Sequence, residues 1–75
     1  MTDDAVFYDA ATDSLYVKIR PGESVRQRED AARDLVIDLD ADGAPVGYEI
    51  QGASRQPQAI AEALSLLQAH RRAAA

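Results

Sequence analysis

Leu35-Val36-Ile37-Asp38-Leu39-Asp40-Ala41-Asp42-Gly43-Ala44-Pro45-Val46-Gly47-Tyr48-Glu49-Ile50-Gln51 decides the fold. Leu35, Ile37 and Leu39 alternate with Val36, Asp38 and Asp40, and Val46, Tyr48 and Ile50 alternate with Gly47, Glu49 and Gln51. A repeat of two is the strand period, because successive side chains of a strand point to opposite faces. Each run therefore has one apolar and one largely polar face, as in an antiparallel sheet with one wet side. Asp42-Gly43 between the runs is a strong hairpin signal, with the glycine supplying a positive φ.

The same period extends toward the N-terminus. Leu15, Val17 and Ile19 alternate with Tyr16, Lys18 and Arg20. A short strand from Ala5 to Tyr8 precedes the loop Asp9 to Asp13, in which both aspartates can bond nearby backbone amides. Pro21-Gly22 ends the second strand. Val25, Gln27 and Glu29 alternate with Arg26 and Arg28. This pattern suits a short charged edge strand, which discourages unwanted pairing. Ala31 to Asp34 reads as a loop.

After Gly52 the period changes. Pro57 suits the first turn of a helix, where its missing N–H costs nothing, and Ser54 or Gln56 caps it. Ile60, Leu64, Leu67 and Arg71 lie on one stripe with Ala63 beside it, and Leu66 widens the apolar face. No glycine or proline occurs from 58 to 75, which favours a helix from about Pro57 to Arg72. The expected fold is α+β: an antiparallel β-meander of four to five strands over 5–51, followed by one C-terminal amphipathic helix, 57–72, packed on one sheet face. Residues 1–75 form a single domain, with Leu64 and Leu67 expected to be buried against the sheet.

Composition narrows the function. The chain has 75 residues, 47% hydrophobic and 28% charged, with 13 acidic and 8 basic groups and a net charge of −5. That balance opposes a nucleic-acid binder held by phosphate contacts. Residues 55–75 carry a net +2, and Arg71 and Arg72 there oppose the negative end of the helix dipole. No cysteine is present, so disulfides and thiolate sites are excluded, and the lone His70 excludes a multi-histidine metal site. No apolar run approaches the roughly 20 residues of a membrane span, and the start has no signal-peptide pattern. A cytoplasmic location and no membrane partner are expected.

Asp38-Leu39-Asp40-Ala41-Asp42-Gly43, followed by five residues and then Glu49, fits the calcium-loop formula D-x-[DN]-x-[DN]-G-x5-E. In a true loop those carboxylates wrap the ion between two helices. Strand-patterned residues flank the motif here, Pro45 occupies its eighth position, and no second loop exists. An acidic hairpin is the expected reading, with cation (calcium) binding by Asp38, Asp40, Asp42 and Glu49 as the alternative. Asp38, Asp40 and Glu49 share a polar face and repel. Solvent, Lys18, Arg20, Arg26 or Arg28, or a basic partner relieves them.

Catalysis is not expected. No Gly-x-Ser-x-Gly elbow and no glycine-rich phosphate loop occur. His70 falls on the expected solvent side of the helix, far from the strand carboxylates. So small a domain has little room for a deep cleft. No catalytic residue, cofactor or metal is assigned. Tyr8 and Tyr48 occupy apolar positions and are expected to fill the core, with their hydroxyls at its rim. Tyr16 lies on the polar face, either covering its neighbours or marking a contact surface.

Three blocks carry a family resemblance. Tyr8-Asp9-Ala10-Ala11-Thr12-Asp13-Ser14-Leu15-Tyr16-Val17, Leu35-Val36-Ile37-Asp38-Leu39-Asp40-Ala41-Asp42-Gly43 and Val46-Gly47-Tyr48-Glu49-Ile50-Gln51-Gly52-Ala53-Ser54 resemble, in order, segments of the bacterial family catalogued as domain of unknown function 2283. Gly47-Tyr48-Glu49-Ile50 stands where that family usually has G-I-E-I or G-L-E-I. The resemblance implies a compact β-rich domain and no assigned activity. Some members of similar families of short proteins are paired with small toxins, so the resemblance implies an antitoxin-like or partner-binding role as an expectation. The helix after Ser54 lies outside the pattern.

Self-association is the remaining expectation. Strands lie about 4.8 Å apart, so a four-stranded sheet is wider than one helix of about 10 Å. Eleven apolar strand positions, from Val6 to Ile50, are too many for one short helix to cover, and a lone core this small is marginal. A twofold homodimer would close the gap by stacking sheets or exchanging helices. Leu66, Leu67, Ile60 and Tyr16 are its expected contact residues. A heterodimer with a basic protein partner is the competing arrangement.

Overall fold

A computed structural model describes residues 5–74. Its strands are β1 (Val6–Asp9), β2 (Ser14–Lys18), β3 (Arg26–Asp30), β4 (Leu35–Leu39) and β5 (Pro45–Gln51). A 3-10 turn, Ala53–Arg55, leads into α1 (Pro57–Ala74). Gln56 accepts the first intrahelical bond, from Ile60 N–H at 3.1 Å, so it holds the N-cap position and Pro57 is the first helical residue.

All strand pairs are antiparallel, and the sheet order is β1-β2-β5-β4-β3. This corrects the plain meander expected from the sequence. β3, β4 and β5 form a meander, but β5 then closes onto β2 and separates the first hairpin from β3. The connection 19–25 crosses the ends of β5 and β4. Ile19 N–H bonds Val46 O at 2.9 Å, and Val25 N–H bonds Leu39 O at 2.9 Å. The charged strand β3 is an edge, as expected.

The register sorts the faces. Leu15, Val17, Leu35, Ile37, Tyr48 and Ile50 line the helix side and are buried with Ile19 and Val46. On α1 the buried line is Ala59, Ala63 and Leu67, four residues apart, while Ile60, Leu64 and Leu66 flank it half-buried. Small alanines let the helix approach the sheet, so the large residues sit beside the contact line. Leu67 is therefore the buried anchor, whose truncation to alanine costs about 2–5 kcal/mol. Leu64 is less enclosed than expected.

The helix packs chiefly over β2 and β5. Val6 and Tyr8 of β1 face the helix side, opposite Val17 and Leu15, yet remain 41% and 56% exposed. Tyr8 thus lies beyond the core that its position in the alternation suggested.

Candidate functional site

Two regions bear the candidate residues: the open face of the sheet and its β1 edge. On the open face the register sets Phe7, Tyr16, Glu49, Val36 and Glu29 in one row across all five strands. Lys18, Gly47, Asp38 and Gln27 form the adjoining row. Tyr16 lies across Gly47, where a Cβ would overlap the ring and hydroxyl of Tyr16. A glycine inside a strand pattern signals such an approach, and that signal was present in the sequence.

Asp38 is only 6% exposed. Gln27 Nε2 donates to Asp38 Oδ1 at 2.9 Å and to Glu49 Oε2 at 3.1 Å. The hydrogen bond with Asp38, reinforced by burial, raises the Glu49 carboxyl above its ordinary pKa. Burial first, and then Asp38 and Glu49, raise the Tyr16 phenol. Gln27, which donates to both carboxylates, relieves their repulsion. Arg26 and Arg28 do not help, because their register opposite Leu39 and Ile37 turns them to the helix side.

The four acids of the calcium formula do not converge. Asp40 Oδ1 accepts from Asp42 N–H and Ala44 N–H, both at 2.9 Å, and Oδ2 accepts from Arg20 at 2.7 Å. The Ala44 amide is the chief cause of the lowered Asp40 pKa. Asp42 is exposed in the turn. Among the described residues no three acidic, histidine or cysteine side chains gather to hold a metal. The hairpin itself is present, with a three-residue loop: Gly43 N–H bonds Asp40 O at 3.0 Å, Asp40 N–H bonds Ala44 O at 2.9 Å, and Gly43 has φ 82°. Asp42 does not take a positive φ, so this is a turn closed by a glycine bulge rather than a two-residue turn.

The expected contact residues are dispersed. Leu67 is 5% exposed and belongs to the chain's own core, Ile60 and Leu66 flank that core, and Tyr16 lies half-buried on the opposite face. His70 is half-buried rather than turned to solvent. It lines a concavity of about 320 Å³ with Ile19, Pro21 and Leu67.

Two aspects of the site were missed in the sequence. Asp13, at φ 53°, links the first hairpin to the entry of the helix. Its carboxylate accepts from Tyr8 Oη at 2.8 Å and from Ser54 Oγ at 2.7 Å, and its carbonyl accepts from Ala53 N–H at 2.9 Å. The Ser54 hydroxyl, followed by Tyr8, lowers the Asp13 pKa. The second is the β1 edge, where Val6, Phe7 and Tyr8 are all exposed although β1 is the most apolar edge of the sheet.

With the fold in view, comparison with known proteins decides the family. The profile of the family described as Protein of unknown function (DUF2283) matches residues 5–54. The chain belongs to this family. The DUF2283 match spans all five strands and ends in the 3-10 turn, so the family's part of the chain is the sheet and α1 is added to it. No curated protein and no solved structure matches the chain. Among the described residues no helix is long and apolar enough to cross a membrane.

Proposed function

We propose that the chain is a non-enzymatic protein-interaction module that self-associates in the cytoplasm. The observation that carries this reading is the uncovered β1 strand, with Val6 41%, Phe7 53% and Tyr8 56% exposed. Large apolar side chains grouped on an exposed edge mark contact surfaces. Asp38 and Glu49 both accept from Gln27 Nε2, and so small a chain has little room for a deep substrate cleft, which favours a binding role over a catalytic one. The finer form of the reading is antitoxin-like: the homodimer is the resting form, and the acidic chain, net charge −5, meets a basic protein partner.

Light scattering across a dilution series tests self-association. The expected result is twice the chain mass, falling toward the single-chain mass on dilution. A folded chain of single mass throughout the micromolar range overturns the reading.

A further inference from the structure

We infer that two copies join their β1 strands antiparallel about a twofold axis at Phe7, making one continuous ten-stranded sheet. This rests on the self-association proposed above and assigns its seat. The two sheet edges differ in kind. β3 is Arg26-Gln27-Arg28-Glu29-Asp30, a charged edge that resists pairing, whereas β1 is Val6-Phe7-Tyr8-Asp9.

The backbone directions follow from one bond. Lys18 N–H donates to Ala5 O at 2.6 Å, which makes Ala5 and Lys18 a hydrogen-bonded pair. Antiparallel pairs alternate, so Phe7 and Asp9 also turn their peptide groups toward β2. Val6 and Tyr8 turn theirs to the open edge. A second β1 strand with its Tyr8 opposite Val6 exchanges both N–H···O bonds at that pair, and symmetry supplies two more. Phe7 then meets the partner's Phe7 in the close, non-hydrogen-bonded pair on the axis, on the open face. Val6 packs beside the partner's Tyr8 on the helix side.

Charge selects this register and a second copy as the occupant. Asp9 falls opposite the partner's Ala5, whose neighbour across β2 is Lys18. Asp9 and the partner's Lys18 thus share one row of the open face, two strand spacings or about 10 Å apart. The lysine stem crosses the small Ala5 to reach the carboxylate. The contact occurs twice by symmetry. A twofold axis at Tyr8 instead puts Asp9 opposite the partner's Phe7 and loses both ion pairs.

The chain has no cysteine, so Phe7→Cys introduces a single thiol. Directly opposed residues have Cβ atoms about 4.5–5.5 Å apart, which the backbone can close to disulfide geometry. With oxidised glutathione, Phe7→Cys should cross-link on the order of 100-fold faster than Ser65→Cys on the outer helix surface, since paired thiols meet at millimolar rather than micromolar effective concentration. Val6→Pro removes an outward N–H that β2 does not use, so this variant should keep its circular dichroism and scatter as a monomer. If the parent chain is a dimer but Phe7→Cys links no faster than Ser65→Cys, or Val6→Pro remains dimeric, the β1 pairing is overturned and self-association stands. A monomeric parent chain overturns both.

Discussion

The Tyr48 hydroxyl on β5 donates to Glu62 Oε2 on the helix at 2.6 Å, and Arg33 from the β3–β4 loop donates to Glu62 Oε1 at 3.0 Å. Arg33 also reaches Asp30 at 2.8 Å. One helix carboxylate thereby fixes the helix to the central strand and to the far hairpin. Tyr48 is the chief cause of the lowered Glu62 pKa, followed by Arg33. Burial, then Glu62, pushes the Tyr48 phenol up to about 12.

Tyr48→Phe removes one hydrogen bond and leaves Glu62 paired with Arg33, so it should cost about 0.5–1.5 kcal/mol. Glu62→Ala strands the Tyr48 hydroxyl and should cost more, about 1–3 kcal/mol. Urea unfolding of both variants checks the order. The tyrosinate absorbance of the parent chain should have a component that titrates near 12 and disappears in Tyr48→Phe. Because the folded pKa of Tyr48 is raised, its contribution is present at neutral pH and is lost as the pH climbs from 10 through about 12.

The elements were legible where one face of a segment is buried and the period is local. Leu35 to Leu39, Val46 to Ile50 and the helix from Pro57 show this. Strand order was not legible. Nothing in the alternation of Leu15, Val17 and Ile19 says whether their neighbour is β3 or β5, since both partners are compatible with the same apolar face. The Tyr48–Glu62–Arg33 link was hidden for a related reason. Glu62 reads as a solvated helix charge until the sheet places Tyr48 beneath it. Of the candidate site, the exposure of Phe7 and Tyr8 depends on how far the helix reaches across the sheet. That reach is set by Ala59 and Ala63, which lie off the Leu-rich stripe that dominated the helical pattern.

The β4–β5 turn separates four substitutions. Gly43 has φ 82° with open space around its Cβ position, so Gly43→Val suffers from backbone conformation alone. It should cost about 1–2 kcal/mol, the penalty of the left-handed region for a side chain with a Cβ. Gly43→Asn should be milder, because asparagine tolerates that region. Asp40→Ala, which leaves the Asp42 and Ala44 amides and Arg20 without their acceptor, should lower the thermal midpoint more than Asp42→Ala. Thermal melts of the four variants supply the ranking.

Gly47 and Tyr16 should couple strongly. Gly47→Ala forces the Tyr16 ring away and should cost about 1–3 kcal/mol by overpacking. In a Tyr16→Ala background the same change meets no ring and should instead be neutral or favourable by about 0.5–1 kcal/mol, as alanine restricts the unfolded chain. A double-mutant cycle by denaturant unfolding measures the difference. Simple addition of the two single effects would show that Tyr16 does not rest on Gly47.

Glu49 gives the open face a pH dependence of defined sign. Asp38, then burial, raises its pKa above the ordinary 4.5. Between that value and the raised one, the folded chain holds a proton that the unfolded chain has released. Stability from this group therefore falls as the pH rises through the window. Asp13, Asp40 and Glu62 have lowered pKa values and act in the opposite direction. Their stabilisation is present above their ordinary range and is lost as the pH falls through their lowered values. The Glu49 effect is thus read as a difference between variant and parent. In Glu49→Gln the amide can donate to Asp38 and accept from Gln27 at every pH, so no carboxylate pair develops. Urea midpoints measured from pH 4 to pH 8 should show the variant gaining on the parent chain as the pH rises, with the gain levelling off once Glu49 is fully ionised. A constant offset across that range would place Glu49 and Asp38 too far apart to share a proton.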